Sequence, residues 1–377
     1  MRSLVAALVL TPLFVHAQAS WTVERTAAIT VPATSSSGDA QFASATWATR
    51  LSSGEIAIAD AMDGVIRIAD KTGRTVRSLG RRGSGPGEFG MLNWVGQCGA
   101  SLYAWDAQQA RASVFDVATG NFRQFGIPEA SGTFSAACSP AGKLAVFTMN
   151  RQAPPAVGAT GRTPEGGEYR VMKMTAGIRV TDSMGVRIAD VPNVLWMELI
   201  AGRVRAEGGL GVLPRPLGTQ TSFGFIGDRL VVGLGDSSRV EVIDAAGKLE
   251  GEFTVAGHTI PPTREQYERA IASAITMAPP NMLEMLTAFA KAVPTPERLP
   301  AIARVLTTPT GLVWVVTSPE GEPVTRLTAY RASGEVVARL ELPLALSVFE
   351  VGDEHVLGRT EDAEGEQSVV LYRFTRR

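Results

Sequence analysis

The chain has 377 residues, of which 36 are Lys or Arg and 37 are Asp or Glu, so its formal net charge is −1. Hydrophobic residues make up 45% of the chain, which is too many for a disordered protein and ordinary for a globular one. Because basic residues are not in excess, the overall charge does not favour binding to nucleic acid or to an anionic membrane surface.

The N-terminal segment has the layout of a secretory signal peptide. Arg2 precedes an apolar run from Leu4 to Val15, and Ala17–Ala19 places small residues where a signal peptidase cleaves. The run is shorter than the roughly 20 residues of a transmembrane helix, although an uncleaved anchor is the alternative. We expect residues 1–19 to be removed and the mature chain to begin at Ser20. The protein would then be secreted or periplasmic, with no membrane span after cleavage.

After Ser20 the sequence repeats with a period of roughly 42 residues, within the range of propellers and solenoids. Each copy opens with a glycine-led turn and a short apolar run, such as Gly54–Asp60. The leading glycines are Gly54, Gly99, Gly142, Gly227, Gly311 and Gly352. The intervals on either side of Gly227 are about twice the others, which indicates insertions.

A second, alternating run follows the first in most copies and leads to another turn, as in Arg111–Asp116 before Gly120. Alternation indicates a half-buried strand, and Asp shortly before Gly indicates a tight turn. With a run after that turn and a short segment before the leading glycine, each copy has four strands, A to D outward from a central axis. Four antiparallel strands make one propeller blade.

The repeat predicts an all-β, six-bladed β-propeller with a short helical insertion between blades four and five. The predicted blades are 45–80, 91–128, 133–190, 221–257, 300–343 and 344–377. The last predicted blade lacks an outer strand, so we expect Trp21–Val31 to complete it and close the ring.

Three segments resemble a known family. Gly80–Phe89, Leu102–Asp106 and Arg111–Asp116 are similar to the NHL-related six-bladed β-propeller proteins of bacterial envelopes. Most of that family has no known function, and many members are interpreted as binding or interaction domains, so the resemblance implies an architecture and not an activity. The chain departs from the pattern at Tyr169–Gly177, which leaves a seven-bladed ring as an alternative.

Insertions are predicted at 149–168, 191–220 and 258–299. Because blade strands alternate in direction, B–C and D–A connections lie on one face of the ring, here called the insertion face. All three insertions fall on that face. They carry a binding site or simply cap the ring. The third reads as two helices, Arg264–Met277 and Met282–Ala292, with Thr263 and Gln266 as a capping box for the first.

The candidate binding residues all belong to the insertion face. They are Arg81, Arg82, Asp106, Trp196, Arg203, Arg205 and His258. The two neighbouring arginines precede a glycine-rich segment, Gly83–Gly87, that could present N–H groups to an anion or could simply cross between blades. Asp106 with Arg111, and Asp236 with Arg239, read more readily as ion pairs across B–C turns. The residues of the second insertion suit either recognition or a solvated loop.

The sequence offers little for catalysis. Only His258 and His355 follow the signal segment, so a three-histidine zinc site cannot be built, and His355 reads as a packing residue. The predicted inner strands carry one carboxylate, Glu350, and one amide, Asn93, which argues against calcium in the channel. No serine triad or Gly-x-Ser-x-Gly elbow is evident. We therefore assign no catalytic residue, metal or cofactor.

Cys98 and Cys138 are the only cysteines, and both precede A–B turns of adjacent blades. An exported protein meets an oxidising compartment, so a disulfide is possible there, but neighbouring inner strands could also diverge beyond bonding range. The sequence leaves the pairing open.

The preferred interpretation is an exported propeller that binds an unknown protein or small molecule and no nucleic acid. A lyase or hydrolase with its site on the insertion face, and a structural scaffold without a small ligand, are the alternatives.

Overall fold

The computed structural model describes residues 21–149, 155–207, 209–256, 260–276, 283–317, 322–343, 345–362 and 364–376. In these ranges β-strands are the predominant secondary structure, with two α-helices and one short 3-10 turn at Pro128–Ala130. None of the helices there is long and apolar enough to cross a membrane.

Over the same ranges the strands form six antiparallel sheets of four or more strands and one parallel pair. The N-terminal strands are β1 (Trp21–Val23) and β2 (Ile29–Pro32). Sheet 1 contains β3 (Ala45–Arg50), β4 (Ile56–Asp60), β5 (Val65–Ala69) and β6 (Thr75–Leu79). The parallel pair is β7 (Arg81–Arg82) and β8 (Glu88–Phe89). Sheet 2 contains β9 (Leu92–Cys98), β10 (Ser101–Asp106), β11 (Arg111–Asp116) and β12 (Phe122–Gly126).

The remaining sheets follow in chain order. Sheet 3 contains β13 (Ala136–Cys138), β14 (Leu144–Met149), β15 (Ala156–Arg162), β16 (Glu168–Thr181), β17 (Arg187–Gly202) and β18 (Gly211–Pro214). Sheet 4 contains β19 (Ser222–Ile226), β20 (Arg229–Leu234), β21 (Arg239–Ile243) and β22 (Leu249–Thr254). Sheet 5 contains β23 (Arg304–Thr307), β24 (Val313–Val316), β25 (Thr325–Tyr330) and β26 (Val336–Leu342). Sheet 6 contains β27 (Ser347–Val351), β28 (His355–Glu361) and β29 (Gln367–Arg376).

A cluster of buried side chains fills each space between consecutive sheets. Ile66 of sheet 1 and Phe115 of sheet 2 belong to one such cluster, and Phe349 of sheet 6 and Ile58 of sheet 1 belong to another. Corresponding clusters join the other neighbouring sheets. Because both faces of a sheet are covered, strands such as β4 are buried throughout and their sequences read as continuous apolar runs. This packing is typical of a β-propeller.

The N-terminal strands join the C-terminal sheet. β1 pairs with β29 from Trp21 opposite Arg376, and β2 pairs with β29 from Ile29 opposite Leu371. The Trp21 ring lies 5.2 Å from the Phe374 ring, centroid to centroid. The two ends of the chain therefore share one sheet, which covers the edge that β29 would otherwise expose.

Sheet 3 differs from the expectation of insertion loops at 149–168 and 191–220. β16 and β17 have 14 and 16 residues and continue beyond the blade as a ribbon, and β15 and β18 pair along its two edges. The irregular segment Tyr169–Gly177 is thus the middle of one long strand. Register shifts at Met174 and Ala176 interrupt its alternation, which explains why the pattern there is weak.

The helices α1 (Arg264–Thr276) and α2 (Leu283–Ala292) lie where the sequence predicts them, between sheets 4 and 5. The Gln266 N–H donates to Thr263 Oγ1 at 3.2 Å and the Thr263 N–H donates to Gln266 Oε1 at 2.9 Å, so the capping box is formed. Tyr267 and Ala270 face inward and are buried.

Candidate functional site

The segments predicted as insertions pack on one another. The ribbon contributes Tyr169, Val171, Ile200 and Leu213, which surround Phe289 of α2 in one buried cluster. We call this unit the insertion assembly. It consists of β15, β18, residues 168–174 and 195–202 of the long strands, and the two helices. Three stretches that are distant in sequence therefore form a single folded element at one end of the protein.

Ion pairs also stabilise the insertion assembly. Arg215, which follows β18, has a side chain only 10% exposed and lies 3.0 Å from the Glu198 carboxylate. Its guanidinium also donates to the Pro294 carbonyl oxygen at 3.1 Å, beyond α2. At the surface Arg205 pairs with Glu284 at 2.7 Å. Because the first pair is nearly buried and bonded on several sides, it holds the helices in one position on the ribbon.

A pocket of about 380 Å³ opens between the two helices and the chain that follows them. It is lined by Pro262, Arg264, Tyr267, Ala292, Val293, Pro294 and Thr295. Burial raises the pKa of the Tyr267 hydroxyl, which stays protonated and donates to the Val293 carbonyl oxygen at 3.4 Å. The sequence marks none of these residues, because the pocket forms only where two separate helices meet.

The carboxylate of Glu88 occupies the place where the glycine-rich segment after Arg81 and Arg82 would bind an anion. Glu88 folds back so that Gly85 N–H donates to its Oε2 at 2.8 Å, and Arg81 lies 2.6 Å from its Oε1. The Gly85 N–H, followed by the Arg81 guanidinium, holds the pKa of Glu88 below its usual value. Arg82 donates to the Met62 carbonyl oxygen. An external anion would have to displace Glu88, so the segment serves as a connection between sheets.

Asp106 is not a surface binding residue. It is 1% exposed and accepts backbone N–H bonds from Gly90 at 2.7 Å and from Gln109 at 2.9 Å. The expected ion pair with Arg111 does not form, because that guanidinium donates to the carbonyl oxygens of Gly85 and Glu88.

The second expected ion pair, between Asp236 and Arg239, is also absent. Arg239 pairs instead with Glu241 and with Glu252, each at 3.2 Å. Both carboxylates lie on strands beside or within β21, so the sheet's own register brings them closer to the guanidinium than the turn brings Asp236.

The second-insertion residues divide between core and surface. Trp196 is 5% exposed and packs with Phe147, at 6.1 Å between ring centroids, so it belongs to the core between sheets 3 and 4. Arg203 and Arg205 are exposed near the tip of the ribbon. His258 lies outside the described residues. The sequence candidates are therefore not brought together into one site.

Arg304 connects the inner strands of three sheets. The Arg304 guanidinium of β23 lies 5.0 Å from the centroid of the Trp47 ring of β3 and donates to the Val348 carbonyl oxygen of β27 at 2.7 Å. Sheets 5, 1 and 6 thus meet at their inner strands through one arginine. The sequence does not mark this contact, because it joins the inner strands of three separate sheets.

Glu350 and His355 lie at the opposite end from the insertions. The Nε2 of His355 is 2.9 Å from Glu350 Oε1, and the Thr49 hydroxyl donates to the same carboxylate. These bonds join sheets 6 and 1. In the part of the chain that the structure describes, no three His, Cys, Asp or Glu residues are grouped so as to hold a metal ion.

Cys98 and Cys138 form a disulfide, with Cα atoms 5.7 Å apart. They end the inner strands β9 and β13 of adjacent sheets, at the face opposite the insertions. Neighbouring inner strands therefore stay close enough at this point for a covalent bridge.

No protein-family model matches the chain, and no curated protein matches it. A solved structure of a DUF4221 family member from Bacteroides vulgatus is similar over 96% of this chain and 100% of its own, with 10% identity and a TM-score of 0.51. Regucalcin, a calcium-binding protein from Agrobacterium tumefaciens, is similar over 89% and 92%, with 13% identity and a TM-score of 0.42. Virginiamycin B lyase from Staphylococcus aureus is similar over 93% and 99%, with 10% identity and a TM-score of 0.39. The first likeness supports the fold alone, and the other two are too weak to inform fold or function.

Proposed function

We propose that the chain is an exported six-bladed β-propeller of the NHL-related kind that acts as a binding or protein-interaction module. The insertion assembly is its binding element. One observation carries the proposal: the second and third insertions pack together around Phe289 at one end of the ring, and the first insertion, as β15, pairs with β16 beside them. A ring needs only short connections, as the turn between Asp70 and Arg74 illustrates. Function concentrates on segments that a rigid scaffold displays in this way.

Two observations support a count of six blades. The inner strands follow one another in contact in the order β3, β9, β13, β19, β23 and β27, and the last of them contacts β3 again. Tyr169–Gly177, where a seventh blade was the alternative, lies in β16, which pairs with β14 and β17 of the same sheet.

Export is proposed from the pattern of residues 1–19 together with the disulfide. Disulfides persist in oxidising compartments and are rare in reducing ones. A bridge between Cys98 and Cys138 therefore fits a secreted or periplasmic protein.

The two ends of the molecule can be compared by photo-crosslinking in the cells that export the protein. Val212 of β18 is 46% exposed on the insertion assembly, and Met184 is 63% exposed in the turn between β16 and β17 at the opposite end. Each is replaced separately by benzoylphenylalanine. Irradiation is expected to attach a partner or ligand at position 212 and not at 184, as read by gel mobility and intact mass.

The comparison requires that both variants unfold thermally like the unmodified chain. Adducts in equal yield at the two positions, or at position 184 alone, would contradict the proposal, because binding would then not depend on the insertion assembly.

A further inference from the structure

The strand β15 offers an open edge. In the described residues it pairs with β16 alone, and six of its seven residues are exposed. An unpaired edge presents a row of N–H and C=O groups to any extended chain, and proteins usually block it with proline or lysine. β15 contains neither and carries one charge, Arg162, at its end. Within the described residues of this edge, a bulge between Val157 and Thr160 interrupts the row of backbone groups.

One face of the ribbon continues this edge as an apolar strip. Val157 lies opposite Met172, which lies opposite Leu199. Met174 lies opposite Met197, and the strip ends at this pair, because both side chains pack against the buried cluster between sheets 3 and 4. Partners in register project to the same face of an antiparallel sheet. The alternate residues of the ribbon pack on α2, so this strip is on the face that the helix leaves open. Val157 is 56% exposed and the other four are partly exposed.

The strip beside β15 is also basic. Arg162 and Arg170 are exposed and have no side-chain partner among the described residues. Lys173, opposite Ala156 on the other face of the ribbon, is 51% exposed and lies 3.7 Å from Glu198. Glu168, opposite Arg162, is the single acidic residue on the paired parts of β15 and β16. A chain laid along this edge would therefore meet a net positive surface.

Small side chains leave room along the same edge. Four of the seven residues in β15 are Gly or Ala, so β15 has few large side chains that could cover the apolar strip. A cross-strand neighbour with a bulky side chain would cover the strip at Val157 and Met172 that β15 leaves uncovered.

We propose that β15 binds an extended segment of a partner protein as an added strand, and that this segment alternates bulky apolar residues with Asp or Glu. The backbone edge supplies affinity, the apolar strip receives alternate side chains, and the arginines select the acidic ones. The inference rests on the proposed function and names the chemistry of the partner.

Synthetic peptides of seven residues, the length of β15, test the proposal on the folded mature chain. The probe alternates glutamate with valine and phenylalanine and carries a fluorophore for anisotropy measurements. A second peptide has lysine in place of glutamate, and a third has proline at its centre. The acidic probe is expected to bind at least about tenfold more tightly than either, because charge complementarity and strand pairing are both required. Equal binding of the three peptides would overturn the proposal.

Charge reversal on the protein gives the matched test. The double variant R162E, R170E is expected to bind the acidic probe about tenfold more weakly and to bind the lysine peptide more tightly. R25E, at an exposed arginine between β1 and β2, is the control and should change neither. If the double variant binds the acidic probe as tightly as the unmodified chain does, the inference is refuted. A dimer, seen by sedimentation, that the two reversals dissociate would also refute it, because the occupant would then be a second copy.

The two proposals fail separately. If the peptides do not bind while position 212 still crosslinks, the partner chemistry is wrong and the binding element remains. If crosslinking does not favour position 212, the proposed function itself is wrong.

Discussion

Two aspartates, each at the end of the second strand of its sheet, bind the chain that leads into the first strand of the same sheet. Asp60 is fully buried and accepts N–H bonds from Ala43 at 3.0 Å and Ser44 at 3.1 Å, just before β3. Asp106 accepts the equivalent bond from Gly90, just before β9. Each carboxylate thus ties the entrance of an inner strand to the end of the strand beside it. Asp106 was a candidate binding residue in the sequence, and its burial and hydrogen bonds assign it this structural role instead.

Asp106→Ala is expected to lower the free energy of unfolding by about 2–3 kcal/mol, because the N–H groups of Gly90, Met91 and Gln109 lose their acceptor. Asp106→Asn keeps one side-chain oxygen and should lose less. Urea denaturation of the purified chain measures both.

Asp228→Ala is the control, since Asp228 is 56% exposed and makes only a surface pair with Lys143 at 3.3 Å. Its effect should stay below about 1 kcal/mol. A loss as small for Asp106→Ala as for the control would refute the structural role.

At the scale of elements, the disulfide links β9 to β13 across adjacent sheets. In the chain-entropy view, a loop of this size stabilises the folded chain by about 4 kcal/mol because the crosslink restricts the unfolded chain. The Cys98→Ser, Cys138→Ser double variant is expected to lose about that amount in urea denaturation.

Intact mass tests the bridge directly. The folded chain should gain the mass of two hydrogen atoms on reduction, and the double variant should not respond to reductant. A folded chain whose mass is unchanged by reductant would contradict the bridge.

The elements also show where prediction from sequence ends. The helices follow from their caps and apolar spacing, because both signals are local. The ribbon does not, since alternation in β16 breaks at the register shifts and β15 is rich in Gly and Ala. Pairing with neighbouring strands, and not local propensity, makes these segments strands.

At the scale of the whole molecule, the N-terminal strands complete sheet 6 by pairing with β29. Trp21 is 8% exposed, stacks on Phe374 and lies 5.4 Å from the Trp314 ring, centroid to centroid. Trp21→Ala is expected to cost about 3–5 kcal/mol in the free energy of unfolding, because it leaves a cavity where sheets 5 and 6 meet. Chemical denaturation measures the loss.

Val76→Ala is the control, because Val76 of β6 is 47% exposed and belongs to no buried cluster of the described residues. The change there should stay within about 0.5 kcal/mol. If the two variants unfold alike, the N-terminal strands do not stabilise the packing of sheets 5 and 6.

The sequence by itself determined the all-β class, the period of the repeat, the two helices and the joining of the chain ends. Each of these depends on residues close together in the chain, or on a period repeated often enough to be read. Only the tertiary structure decided that the insertions form one unit, that Trp196 and Asp106 are buried, and that Glu88 occupies its own glycine-rich segment. Those outcomes depend on which distant surfaces meet, and burial and pairing across a ring leave little trace in local sequence.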